Sequence, residues 1–302
     1  GVVMGKRLIS ANASDILQMT AAELKQSIKA SEGRTILSEN VAPRESFIGD
    51  ITNSEIARAF GADLILLNGV DVLNPEIFGI DAKEGNFVDK LHSLVGRPIG
   101  VNLEPVDLEA NMAEDRLAIS KGRQANLETI NEIERLGMDF VCFTGNAGTG
   151  VSNSQIEKAI SLAKENFSGL IIAGKMHGAG VDEPVADIKA IEAFIEAGAD
   201  IILVPAVGTV PGFDDMDLKE AVKAAHSKGA LVLTAIGTSQ ESSDEDTIKQ
   251  IAIRNKICGA DIQHIGDAGY GGVAPFENIF AMSKAIRGVR HTVSMIARSI
   301  NR

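Results

Sequence analysis

Two pairs of side chains in this sequence stand one residue apart and carry groups that do chemistry. Lys175 and His177 flank Met176, and Asn102 and Glu104 flank Leu103. In an extended segment residues i and i+2 share a face, so both members of each pair point the same way. A lysine withdrawn from water serves as a Schiff-base nucleophile or a proton carrier, and a histidine beside it as acid or base. The bland reading of the first pair is an ion pair of Lys175 with Glu104 or Glu39, with His177 a plain loop residue. Asn102 and Glu104, joined by Glu39 and Asp267, offer oxygen ligands for a hard cation such as Mg2+, with Glu104 as its ligand. A hydrogen-bonded network of the same residues is the alternative. The catalytic candidates are therefore Lys175, His177, Glu104 and Glu39.

Small residues mark a second kind of site. Gly237-Thr238-Ser239 and the run Gly266-Asp267-Ala268-Gly269-Tyr270-Gly271-Gly272 place glycines and hydroxyls where backbone N–H groups can approach an anion. Their alternative role is to permit tight turns. The substrate- or phosphate-binding set is Asn68, Asn102, Asn146, Gly237, Thr238, Ser239, Gly266, Asp267, Gly269, Gly271 and Gly272. His264 and Cys142 fall inside apolar runs and read first as core residues. Cys142 and Cys258 have no metal-like spacing and read as free thiols.

These residues need a scaffold, and the chain repeats one eight times. Short apolar runs at Thr35–Val41, Asp63–Asn68, Pro98–Leu103, Asp139–Thr144, Leu170–Gly174, Asp200–Pro205, Ala230–Ala235 and Asp261–Gly266 alternate with amphipathic helical stretches. Continuous rather than alternating hydrophobicity fits parallel strands covered on both faces. Gly61-Ala62-Asp63, Gly137-Met138-Asp139, Gly198-Ala199-Asp200 and Gly259-Ala260-Asp261 each precede a strand, with glycine suited to a helix C-terminus. The last three are 61 residues apart (137 to 198, 198 to 259), which is two βα units. Eight units predict a single TIM (β/α)8 barrel spanning 1–302, with strands over about 35–266. An open doubly wound sheet is the structural alternative, disfavoured because no GxGxxG follows the first strand. A capping box at Thr20-Ala21-Ala22-Glu23 predicts an extra N-terminal helix to Lys29, plugging the barrel bottom or lying beside the last helix. Val289–Ile300 predicts a C-terminal helix, a candidate partner-binding arm. The long acidic stretch Glu104–Gly122 is a candidate lid. In such barrels chemistry sits on the loops after the strands, where the candidate residues cluster.

Composition narrows the partners. The chain has 302 residues, 45% hydrophobic and 23% charged, with no Trp and one Tyr, so Ile, Leu, Val and Ala must fill the core. A net charge of −12 without basic clusters argues against nucleic acid as a partner and leaves a small anionic substrate open. No apolar run is long enough to span a membrane, and the expected location is the cytoplasm. A homo-oligomer is the ordinary expectation for this fold.

The stretch Glu55-Ile56-Ala57-Arg58-Ala59-Phe60-Gly61-Ala62-Asp63, running into a strand that ends Asn68-Gly69, resembles the phosphoenolpyruvate mutase/isocitrate lyase superfamily, as does Gly198-Ala199-Asp200-Ile201-Ile202-Leu203-Val204. That resemblance implies a magnesium-assisted lyase or isomerase. Two departures limit it: the superfamily's Asp-x-Asp pair is here Asn102-Leu103-Glu104, and its Lys-x-Cys-Gly-His loop is absent. The magnesium site carries over at most to Glu104, and Gln263–Gly272 marks a subfamily of its own. The leading expectation is a lyase or isomerase acting on a small phosphorylated or carboxylated metabolite. A phosphate-ester hydrolase and a non-catalytic metabolite-sensing barrel are the competing readings.

Overall fold

Eight runs of β-branched and aliphatic residues form strands buried along nearly their whole length, because each is covered by helices outside and by the other strands' side chains inside. In the computed structural model, which describes residues 6–106, 119–144, 152–176 and 186–302, these are β1 (Thr35–Val41), β2 (Leu64–Asn68), β3 (Ile99–Asn102), β4 (Phe140–Phe143), β5 (Leu170–Gly174), β6 (Ile201–Pro205), β7 (Leu231–Ile236) and β8 (Ile262–Ile265). All pairings are parallel, and β8 closes on β1, with Leu37 opposite His264. Closure makes this a TIM barrel and removes the open-sheet alternative.

Alternation along each strand sorts the core into two. Ile36, Ile65, Val101 and Val141 face the helices, while Leu37, Leu66, Phe140 and Leu233 fill the lumen. Gly100 makes room for the bulkiest of these: a Cβ there would lie 2.2 Å from the Phe140 ring. The lumen is thus packed rather than hollow.

The recurrent Gly-x-Asp has a structural purpose. Its glycines, at φ between 80° and 128°, end the preceding turns. Each Asp lies one residue before its strand and accepts an N–H at the start of the strand preceding it in the barrel. Asp63 takes Ile36 N–H (2.8 Å), Asp139 takes Ile99 N–H (2.8 Å), Asp200 takes Ile171 N–H (2.9 Å) and Asp261 takes Val232 N–H (2.8 Å). This is why these four strands begin one residue later than the apolar runs suggest. His92 and His226 back Asp139 and Asp261 at 2.7 Å each. Asp63 is instead wholly buried between Arg287 (2.6 Å) and Arg97 (3.4 Å).

The helix Ala21–Lys29, opened by the capping box of Thr20 and Glu23, plugs the end where the strands start. Its Leu24 and Ile28 join the lumen cluster, and Lys25 reaches Asp200 at 3.9 Å. The last helix, Phe276–Ala297, breaks at Gly288 (φ 73°, ψ 174°), so the predicted C-terminal helix follows directly on the one that closes the eighth unit. It folds back on the same end of the barrel, where Arg298 meets Asn12 at 2.9 Å. No helix among the described residues is long and apolar enough to cross a membrane.

Candidate active site

The alternation that packs the lumen with Leu and Phe ends in polar groups at the strand C-termini. Above Leu37 comes Glu39, above Leu66 comes Asn68, above Gly100 comes Asn102, and above Ile262 comes His264. These side chains bond to one another in a continuous chain. His264 Nε2 lies 2.9 Å from Glu39 Oε1, and Asn102 Nδ2 donates to Glu39 Oε2 at 3.2 Å. The same Nδ2 donates to Asn68 Oδ1 at 3.3 Å, and Asn68 Nδ2 donates to Asp267 Oδ2 at 2.8 Å. Asp267 Oδ1 accepts the Gly269 N–H at 2.9 Å. Four strands and the loop after β8 therefore contribute to one array.

Burial governs its electrostatics. Loss of water pushes the Glu39 carboxyl up from the ordinary range. The His264 and Asn102 hydrogen bonds oppose that shift, and the Asp267 charge adds to it. The Cys142 thiol, fully buried on β4, is pushed well above its ordinary range by burial and then by Glu39. It is a protonated core thiol at neutral pH, as its place in an apolar run suggests.

Glu241 is a member of the site that the sequence reading passed over. It sits in the short turn Gln240–Ser242 after β7, with its carbonyl clamped by Asn278 Nδ2 at 2.8 Å. Burial, reinforced by the charges of Asp267 and Glu39 and opposed by His264, raises its carboxyl to about 7. Gly266 is what admits it, since a Cβ there would lie 2.1 Å from Glu241 Oε2. The only signal in the sequence was an acid four residues beyond Gly237, in a loop that follows a barrel strand.

The other predicted residues are placed as follows. Glu104 is held where the long loop returns: its N–H bonds Arg123 O and its carbonyl accepts Ala125 N–H, both at 2.8 Å. Its carboxylate lies 3.9 Å from Arg123. Lys175 is half-buried just beyond β5, and Met176 packs against the lumen cluster. His177, Asn146 and most of the candidate lid lie outside the described residues. Thr238 and Ser239 adopt left-handed φ of 55° and 67°, uncommon without glycine and concentrated in proteins at functional loops. The Thr238 hydroxyl donates to Thr209 O at 3.1 Å or Gly237 O at 2.7 Å.

In the β8 loop the glycine N–H groups are engaged inside the protein. Gly266 bonds Ile236 O at 2.9 Å, Gly271 bonds Ala268 O and Gly272 bonds Gly269 O at 3.1 Å, and Gly269 bonds Asp267. What this loop turns to the array is the Asp267 carboxylate.

Among the described residues no three His, Cys, Asp or Glu side chains are grouped so as to hold a metal ion. The Glu39 oxygens face His264 and an amide N–H rather than an open coordination position. Glu39, Asn102 and Asp267 join the hydrogen-bonded network that was the alternative for them, and the Glu104 carboxylate lies 3.9 Å from Arg123.

Comparison with known proteins agrees with the architecture. Residues 9–302 match the family model described as a domain of unknown function, DUF7916. No curated protein matches the chain. Among solved structures, a protein assigned as a lyase/mutase from Burkholderia cenocepacia J2315 is 16% identical, covering 87% of this chain and 84% of its own, with a TM-score of 0.52. A 2,3-dimethylmalate lyase, a member of the PEP mutase/isocitrate lyase superfamily, is 13% identical over 84% of this chain and 82% of its own, with a TM-score of 0.52. A Schiff-base-forming fructose-1,6-bisphosphate aldolase is 15% identical over 84% and 94%, again with a TM-score of 0.52. At such identities the likeness is one of fold.

Proposed function

The chain belongs to the DUF7916 family, and from the site this member presents we propose a lyase or isomerase that moves a proton on a small phosphorylated or carboxylated metabolite. One observation carries the reading: a buried carboxyl, Glu39, paired with His264 at 2.9 Å at the mouth of the barrel, with Glu241 beside it. Carboxyls pushed to different extents by their surroundings divide acid from base roles.

In the proposed mechanism Glu39 is the base. The His264 and Asn102 hydrogen bonds support its ionised form, and once it has taken a proton from the substrate carbon, burial favours the neutral acid that later returns it. Glu241, protonated below about pH 7, donates a hydrogen bond to the oxygen where enolate charge develops. Lys175 and His177, after β5, are proposed to serve the anionic end of the substrate. No step runs through Mg2+.

The test is proton exchange. A panel of 2-oxo acids, 2-hydroxy acids and ketose phosphates is incubated with the protein in D2O, and loss of the C–H signal is followed by NMR, with and without EDTA. Exchange into at least one compound is expected. With Glu39→Gln it should be slower by about 10²–10⁴, the usual contribution of a positioned base. Exchange at the wild-type rate in Glu39→Gln, or with no compound at all, removes the reading.

A further inference from the structure

The hydrogen-bonded array has a remainder, and its kind identifies what completes it. Asn102 is 8% exposed, and both contacts of its Nδ2 are inside the array, with Glu39 Oε2 at 3.2 Å and Asn68 Oδ1 at 3.3 Å. Its Oδ1 is buried with no hydrogen-bond partner among the described residues. Turning the amide over would set its oxygen against the Glu39 carboxyl and the Asn68 carbonyl oxygen, so the network fixes the orientation. Asn68 Nδ2 gives one hydrogen to Asp267 Oδ2 at 2.8 Å, and an amide nitrogen carries two. The unpartnered Asn102 oxygen and the second Asn68 hydrogen thus belong to two amides that meet at 3.3 Å.

We infer that Asn102 and Asn68 read a hydroxyl group, and that the substrate is a polyhydroxylated carbon chain bearing the anionic group elsewhere, as a sugar acid or a sugar phosphate does. A hydroxyl both donates and accepts, so one oxygen satisfies Asn102 Oδ1 and the second Asn68 N–H together. A carboxylate or phosphate oxygen only accepts. It would leave Asn102 Oδ1 unpaired and would stand near Glu39, Glu241 and Asp267. An ammonium only donates and would leave Asn68 unpaired. The Asp267 carboxylate supplies a further acceptor for a hydroxyl on the neighbouring carbon. This deepens the proton-transfer reading and rests on it for where the reacting end lies.

Matched ligands of equal charge and similar length test it in the intact protein by isothermal titration calorimetry: D-erythronate against butyrate, and D-ribose 5-phosphate against pentyl phosphate. A site built to bond a hydroxyl discriminates steeply against analogues that lack one. At least one hydroxylated member is expected to bind at least ~10-fold more tightly than its partner, a difference of about 1.4 kcal/mol or more. Asn102→Leu should bring the two within about twofold, as judged against that discrimination. Asn68→Ala, at a half-exposed position, should reduce the preference in the same direction; thermal melts establish that both variants are folded. Equal affinity within both pairs, no binding of either hydroxylated compound, or a preference that survives in both folded variants overturns the inference. Failure of the proton-transfer reading registers elsewhere: exchange in Glu39→Gln would match wild type while the hydroxyl preference stayed intact.

Discussion

Replacing Glu241 by Gln should make the protein's stability less sensitive to alkali. The carboxyl is raised from 4.5 to about 7 in the fold, so between those values the native state holds a proton that the unfolded chain has released. Stability from this group is therefore complete below about pH 4.5 and lost as pH rises through about 7. A displacement of that size is worth at most ~3.4 kcal/mol at 1.36 kcal/mol per pH unit. Water at the barrel mouth screens the carboxyl, and a realistic loss is about 1–2 kcal/mol. Gln keeps the shape without the proton equilibrium. Urea unfolding of wild type and Glu241→Gln at pH 5 and pH 8.5 gives the comparison. The stability of the variant relative to wild type should improve by about 1–2 kcal/mol on going to the higher pH. A constant offset between the two proteins at both pH values would refute the assignment of a neutral, buried carboxyl to this turn.

Other expectations follow from the same structure. Gly266→Ala places a methyl group 2.1 Å from Glu241 Oε2, at the movable end of a side chain. It should push the carboxyl toward water and abolish most of the pH-dependent difference just described, read by the same unfolding series. Asp63→Ala strips the buried Arg97 and Arg287 of their shared carboxylate and should cost about 3–5 kcal/mol in urea unfolding. Gly174→Ala sets a Cβ 1.8 Å from the Leu203 carbonyl oxygen and should give little soluble folded protein. By contrast Gly229→Ala, also at positive φ but with nothing within 4 Å, should cost only about 1–2 kcal/mol. Circular dichroism and expression yield separate those two.

The barrel was legible because its signal is distributed over the whole chain. Eight apolar runs with helices between them, and four Gly-x-Asp motifs of which the last three are 61 residues apart, leave few other ways to bury the same residues. The site was legible only where a strand carried it. Glu39, Asn68 and Asn102 stand on the lumen phase of their strands, and alternation alone points them at one another. His264 was read as a core histidine, and it is wholly buried; what the sequence did not convey was its partner. Leu37 lies opposite His264, which brings Glu39, two residues up β1, within reach, but that register exists only once the barrel closes. Glu241 was missed for a different reason. Its chemistry arises from the loss of water between two loops, and no local pattern encodes which loop glycine will leave room for a carboxyl. The β8 loop showed the converse: its glycines were visible, but not that their N–H groups turn inward.

At the opposite end of the molecule, the four aspartates that accept strand N–H groups fasten even strands to odd ones: β2 to β1, β4 to β3, β6 to β5 and β8 to β7. The circle is in this respect a set of four staves, each made of two strands with its own clasp. A polypeptide divided after an even strand keeps every clasp shut within one piece. A division after an odd strand leaves one N–H at a strand's start without its acceptor and one carboxylate without its donor. For complementation by fragments, for grafting and for duplication of parts, the unit that this barrel can lend or receive is the pair.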